Sequence, residues 1–201
     1  WLDAGDWLVW QLADGPFPRC KTDSLVRSTC QAGYKAMWIR ASGYPSREFF
    51  AAVTPKLRDV VAEKLPGHLK APGQRAGLLS EAASKLLGGL VRPGTPVATA
   101  IIDAHSGVPG AGVAEPSTLV LVMGTSSCHM LNSKVQRTVP GAGGVQDGIL
   151  PGLYGYETGQ SSVGDAFAWL VDTFGLSHAD LTRRAANLAP GSGGMAALDW
   201  L

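Results

Sequence analysis

Residues 97–112 read VATAIIDAHSGVPGAG. An apolar run, Val97 to Ile102, stops at a carboxylate, Asp103, and is followed by His105 and by Gly107, Gly110 and Gly112. Six small or β-branched residues after Pro96 predict a buried strand that ends in a loop kept open by glycine. A carboxylate at a strand end commonly only forms a turn or caps a helix. Beside glycines that admit a ligand closely, it is also placed to take a proton from a hydroxyl that attacks phosphorus.

On the N-terminal side of this stretch the pattern is helical. The spacing in DWLVWQLA (6–13) predicts a short helix. Ser46 and Thr54 are positioned to cap two more, with Pro55 at the first position of the second, where a missing N–H costs nothing. Leu57, Val60, Val61 and Leu65 share one face of it, and Ser80 caps a further helix that Gly88 or Gly89 ends. On the C-terminal side, TLVLVM (118–123), the short run CHML (128–131) and the alternating KVQRTV (134–139) read as successive antiparallel strands joined by glycine turns. Two helices follow. One is capped near Ser161 and stopped at Gly175, and the other is capped by Ser177. The change of pattern at RPGTP (92–96) sets an expected domain boundary near Gly94: residues 1–94 mostly helical, residues 95–201 strands and then helices.

The composition narrows the function. The chain has 201 residues, with 17 Lys and Arg against 16 Asp and Glu, a net charge of +1. A nucleic-acid binder would carry a basic excess. No apolar stretch reaches membrane-spanning length, and the opening residues, WLDAGDWLVWQ, show no basic n-region or cleavage signal. Cys20, Cys30 and Cys128 form neither an even set nor a CxxC pair, so the expectation is a reduced, cytoplasmic protein without a disulfide framework or structural zinc. Glycine is in excess, 26 residues of 201 against about 7% in ordinary chains. No fixed repeat organises it, which points to local devices for turns and ligand approach.

Three further places carry chemistry. In MGTSSC (123–128), Gly124 ends a strand, and Thr125, Ser126 and Ser127 follow. Such a turn can present backbone N–H groups and hydroxyls to an anion, although an isolated G-T-S is more often a plain hairpin turn. No GxxxxGK[ST] or GxSxG is present, so neither a P-loop nor a serine hydrolase is indicated. In GYETGQSSVGDAFAWL (155–170), Glu157 is placed to accept bonds from substrate hydroxyls or to favour a helix N-terminus. Gly164 lies within a helical pattern, where it costs roughly 1 kcal/mol against alanine, so close approach of a ligand or of another backbone is expected there. Lys35, between Tyr34 and Trp38, is either solvated or emerges at a cleft. His105 and His129 read as structural histidines, and Cys128 next to His129 lacks metal-ligand spacing. Trp7 and Trp38 read as core residues that could alternatively line a sugar.

Taken together, RSTCQAGYKAMW (27–38), GYPSREFF (43–50), GTPVATAIIDAHSGVPGAG (94–112), VMGTSSCHM (122–130) and DGILPGLYGYETGQSSVGDAFAW (147–169) resemble the FGGY carbohydrate kinases, in their ribulokinase branch. The resemblance runs over nearly the whole chain. It implies an α/β fold of the ribonuclease-H-like, actin-like ATPase type, in which two domains close on a sugar and ATP. It implies ATP- and Mg²⁺-dependent phosphorylation of L-ribulose at its C5 hydroxyl, as in arabinose catabolism, and it admits a homodimer. By matching positions, Asp103 resembles the catalytic base, and Lys35, Asp103 and Glu157 resemble sugar contacts. Gly124, Thr125 and Ser126 resemble the phosphate-binding turn, and Gly164 the glycine beside the nucleotide. The resemblance assigns no protein residue as a dedicated metal ligand.

The family's N-terminal phosphate loop of DxGT type and its later adenosine-binding segment are not in these residues. The expectation is therefore an incomplete kinase, comprising the end of domain I and the start of domain II. Another sugar substrate (xylulose or glycerol) and a non-catalytic piece of such a kinase are the alternatives. In every version Asp103 must face open space rather than the interior.

Overall fold

Local chemistry in the chain accounts for most of its element boundaries. The computed structural model describes residues 1–14 and 24–196; Cys20 lies outside the described residues. Helix α1 (Ala4–Asp14) precedes strand β1 (Val26–Ser28) and helix α2 (Thr29–Ala36). Ser28 caps α2 by accepting from the Cys30 amide at 3.2 Å, and the helix ends on Met37 in the left-handed conformation. Helices α3 (Arg47–Val53) and α4 (Val60–Lys64) flank a 3₁₀ turn, Pro55–Leu57. Ser46 caps α3 through the Phe49 amide at 3.2 Å, as expected, while Thr54 precedes Pro55 without a side-chain cap bond. Strands β2 (His68–Lys70) and β3 (Arg75–Leu78) lead to helix α5 (Glu81–Leu86), capped by Ser80. Strand β4 (Pro96–Ala98), helix α6 (Asp103–Gly110), strands β5 (Leu119–Met123), β6 (Ser127–Ser133), β7 (Gly143–Gln146) and β8 (Tyr154–Gln160), and helices α7 (Gly164–Phe174) and α8 (His178–Ala186) complete the order.

Two compact units are formed, residues 1–120 with 130–157, and residues 121–129 with 158–201. In the first, β1 pairs in parallel with β2, and β3 pairs antiparallel with β4 through a bulge between Arg75 and Gly77. The remaining four strands have the order β5-β6-β8-β7, with β7 and β8 antiparallel and Gly143 opposite Glu157. The core of the first unit is built from Leu25, Cys30, Val60, Ala83, Val108, Met130 and Ile149. Buried polar groups are tied into it. The Asp6 carboxylate accepts from the Ser28 amide at 2.9 Å, and Arg27 donates to the carbonyls of Trp1, Lys64 and Pro66. The Thr29 hydroxyl donates to the Asp147 carbonyl at 2.7 Å, and the Asp147 carboxylate pairs with Arg40.

In the second unit no apolar side chain among the described residues is buried. Its order comes from backbone pairing, from the Gly175 left-handed stop of α7, and from the Ser177 cap of α8 on the Asp180 amide at 3.1 Å.

Three expectations are corrected. The strand expected over 97–102 ends at Ala98. Its partner β3 is preceded by the turn at Pro72–Gly73, so beyond Ala98 the ladder keeps only bonds between Thr99 and the 73–74 backbone. The expected glycine loop is instead mostly helical, because Asp103 opens α6 and Gly107 and Gly110 lie within it. KVQRTV forms no strand. The Ser133 hydroxyl accepts from the Val135 amide at 3.0 Å, and the Arg137 amide donates to the Tyr156 hydroxyl at 2.5 Å, so side chains take bonds that a neighbouring strand would have made.

Candidate active site

Lys35, Asp103 and Glu157 all belong to the first unit. Asp103 is the first residue of α6 and is exposed. A carboxylate there interacts favourably with the unpaired amides of the first turn. The segment before it leaves the β3–β4 pair as extended chain, so the backbone delivers Asp103 at a helix start rather than at a strand end. Glu157 lies in β8, opposite Gly143 of β7, with 28% of its side chain exposed. Lys35 occupies the last turn of α2, where a cation complements the helix C-terminus. Its ammonium is half-exposed and lies 3.9 Å from the Asp3 carboxylate. It borders a cavity of about 180 Å³ whose walls include Trp1, Asp3, Asp6, Arg27 and Tyr44.

Of these three, Glu157 makes a direct contact with His105, whose side chain is 1% exposed. Its Nε2 lies 3.3 Å from Oε2 of Glu157, and its ring packs on Tyr34 with centroids 4.5 Å apart. Burial pushes the imidazole below its ordinary value of 6.5. The charges of Glu157 and Asp103 act in the opposite direction, and Lys35 adds to the depression. A histidine read as structural from sequence thus lies within ion-pair distance of Glu157.

Tyr34 was not singled out as a functional residue by its position in the sequence, yet it shapes this region. Its hydroxyl donates to the Gly155 carbonyl at 2.7 Å, two residues before Glu157. Glycines make room for it: a Cβ on Gly155 would fall 2.7 Å from the Tyr34 hydroxyl, and one on Gly148 would fall 2.9 Å from its ring. The visible signal was the density of glycine in 141–159, which clears space for an aromatic side chain contributed by a distant helix.

Gly124, Thr125, Ser126 and Gly164 come together in the second unit. The three turn residues are exposed. The Gly124 amide donates to the Ser126 carbonyl at 2.8 Å, closing the bend. The amides of Val163 and Gly164 donate to the Thr125 and Gly124 carbonyls at 2.8 and 3.0 Å. Gly164 is the first residue of α7 rather than an interior one, and a Cβ on it would fall 2.6 Å from the Gly124 carbonyl oxygen. Close approach of another backbone, one of the two reasons expected for this glycine, is present.

The other candidates contribute less. Trp7 is 47% exposed on α1, and the Arg40 guanidinium sits 5.8 Å over the half-buried Trp38 ring, so neither tryptophan is a core residue. Cys30 is buried and its thiol is pushed up to about 12 by desolvation. No group of three His, Cys, Asp or Glu side chains among the described residues is arranged for a metal ion. No helix among them is long and apolar enough to cross a membrane.

This mixed α/β scaffold, with a carboxylate–lysine cluster in one unit and a glycine–hydroxyl bend in the other, matches known proteins along its whole length. Residues 119–199 match the C-terminal domain of the FGGY family of carbohydrate kinases. It is 46% identical over 99% of its length to the ribulokinase of Shouchella clausii and 45% identical over 99% to that of Anoxybacillus flavithermus. It spans 36% of the length of each of these curated relatives. Among solved structures it resembles xylulose kinase from Rhodospirillum rubrum, with a TM-score of 0.74 at 21% identity, covering 97% of this chain and 37% of that one. The likeness establishes the FGGY kinase fold.

Proposed function

We propose that this chain supplies the sugar-contacting and phosphate-contacting segments of a ribulokinase, which transfers the terminal phosphoryl group of ATP to the C5 hydroxyl of L-ribulose. The observation that carries the reading is Asp103 exposed at the start of α6, two residues before a buried His105 that lies 3.3 Å from Glu157, in a chain 46% identical to a ribulokinase. Asp103, exposed at the start of α6, takes the proton of the attacking hydroxyl. Glu157 accepts bonds from other sugar hydroxyls, and Lys35 donates to a sugar oxygen. The Gly124–Ser126 bend, held against the start of α7, offers backbone amides and exposed hydroxyls to the phosphates.

Magnesium binds oxygen donors, keeps several waters and is held largely through substrate phosphates. The exposed hydroxyls of Thr125 and Ser126 suit it as oxygen donors, and when bound it offsets phosphate charge.

The test is Asp103→Asn in the full-length protein. Loss of a general base should lower kcat by roughly 10²–10⁴-fold while the KM for L-ribulose changes little. Near-normal turnover rejects the base assignment. A panel of L-ribulose, xylulose and glycerol with an ATP-consumption readout fixes the sugar, and preference for xylulose or glycerol overturns the ribulose assignment.

A further inference from the structure

His105 has a feature that a purely structural histidine does not need. It is 1% exposed, yet neither ring nitrogen makes an aligned hydrogen bond to any group among the described residues. Leaving such a group unsatisfied in the interior costs free energy, and that cost calls for an explanation. The approach of Nε2 to Oε2 of Glu157, at 3.3 Å, is a charge contact waiting for alignment. Contacts of this kind in a site without substrate are often loose and tighten when substrate binds. The Tyr34 ring packs against the imidazole with centroids 4.5 Å apart and planes tilted by 46°, and is itself pinned to the Gly155 carbonyl.

Resting on the sugar-contact reading of Glu157, we propose that His105 is a positioning residue: its Nε2–H holds one oxygen of the Glu157 carboxylate, fixing the other toward the sugar hydroxyls. The charged and titratable groups facing it are Glu157 on β8, Asp103 on its own helix, and Lys35 and Tyr34 on α2. Tyr34 serves as a neutral backing wall. The two carboxylates are thereby assigned different tasks. Asp103 moves a proton, and Glu157 is a fixed acceptor that must not swing.

Three variants of the full-length protein and one titration test this. His105→Phe keeps a flat ring against Tyr34 but removes the donor. It should raise the KM for L-ribulose roughly tenfold to a hundredfold, the range for losing a hydrogen bond to a charged group, with the KM for ATP unchanged within about twofold. His105→Gln, which restores an N–H donor, should recover most of that loss. A wild-type sugar KM in His105→Phe, or equal rises in both KM values, overturns the proposal. Glu157→Gln separates the two layers. If it weakens sugar binding while His105→Phe does not, only the positioning role fails; if it leaves sugar binding intact, the sugar-contact reading fails and the positioning role goes with it. Should His105→Phe not fold, NMR titration of the His105 imidazole in the wild-type chain and in Glu157→Gln decides the coupling. The titration midpoint must move down when the carboxylate charge is removed, and no movement overturns the proposal.

Discussion

Asp6 shows how one buried residue can set a pH window. It is 1% exposed and accepts from the Ser28 amide at 2.9 Å, and desolvation raises its carboxyl to about 7. A carboxyl raised in the folded state gives stability that is complete below its unfolded value, 3.8, and is lost as the pH rises through about 7. Asp6→Asn keeps an acceptor for the Ser28 amide and removes the charge. The variant should therefore be more stable than wild type at pH 8, by up to a few kcal/mol, and indistinguishable near pH 4. Thermal melts at the two pH values check this; an equal shift at both would remove the carboxyl from the account. His105 acts in the opposite direction. Its depressed imidazole leaves stability intact above its unfolded value of 6.5 and erodes it as the pH falls below that value. At this scale Lys35 was drawn in as a candidate only by the family resemblance, whereas Asp103, Glu157 and the 124–126 bend stood out as candidates through residue type beside glycine. The place of His105 beside Glu157 did not, because it depends on Tyr34 and β8, which no local spacing in the sequence reveals.

At the level of elements, the start of α7 is where two preferences compete. Replacing Gly164, the first residue of α7, with alanine gains less than the roughly 1 kcal/mol of a helix-interior position. The added Cβ would meet the Gly124 carbonyl at 2.6 Å, a backbone atom that cannot step aside without moving the bend. Overpacking of this kind costs about 1–3 kcal/mol, so the steric term wins. Gly164→Ala should raise the KM for ATP severalfold and leave the KM for L-ribulose unchanged; an unchanged nucleotide KM would detach the bend from phosphate binding. Helix ends were the most legible elements, since Ser46, Ser80, Ser177 and Gly175 each act locally. Strands were less so. VATAII looks uniformly extended, but its length in the sheet is set by β3 and not by its own residues. Strand β7, GGVQ, has little intrinsic β preference. It is a strand because it pairs antiparallel with β8, with Gly144 opposite Tyr156, whose ring takes the space of a Gly144 side chain, 2.8 Å from that Cβ position.

Across the whole molecule, the two units differ in how they are stabilised. The first has an apolar core laced with buried polar bonds, whereas the second buries no apolar side chain among its described residues. Phe167, Trp169 and Phe174 on α7 are 57%, 53% and 63% exposed. Local opening free energy follows buried apolar contact. Hydrogen exchange on the 201-residue chain should therefore show α7 and α8 losing protection well before α2, and equal protection of the two regions would contradict this account. The cradle around Tyr34 bears on redesign. Gly148 and Gly155 leave no volume for a side chain beside the Tyr34 ring, so under the proposed function laboratory evolution of sugar preference has nothing to vary there. Selected changes should accumulate instead among residues that touch the substrate directly, with the supporting wall left as it is.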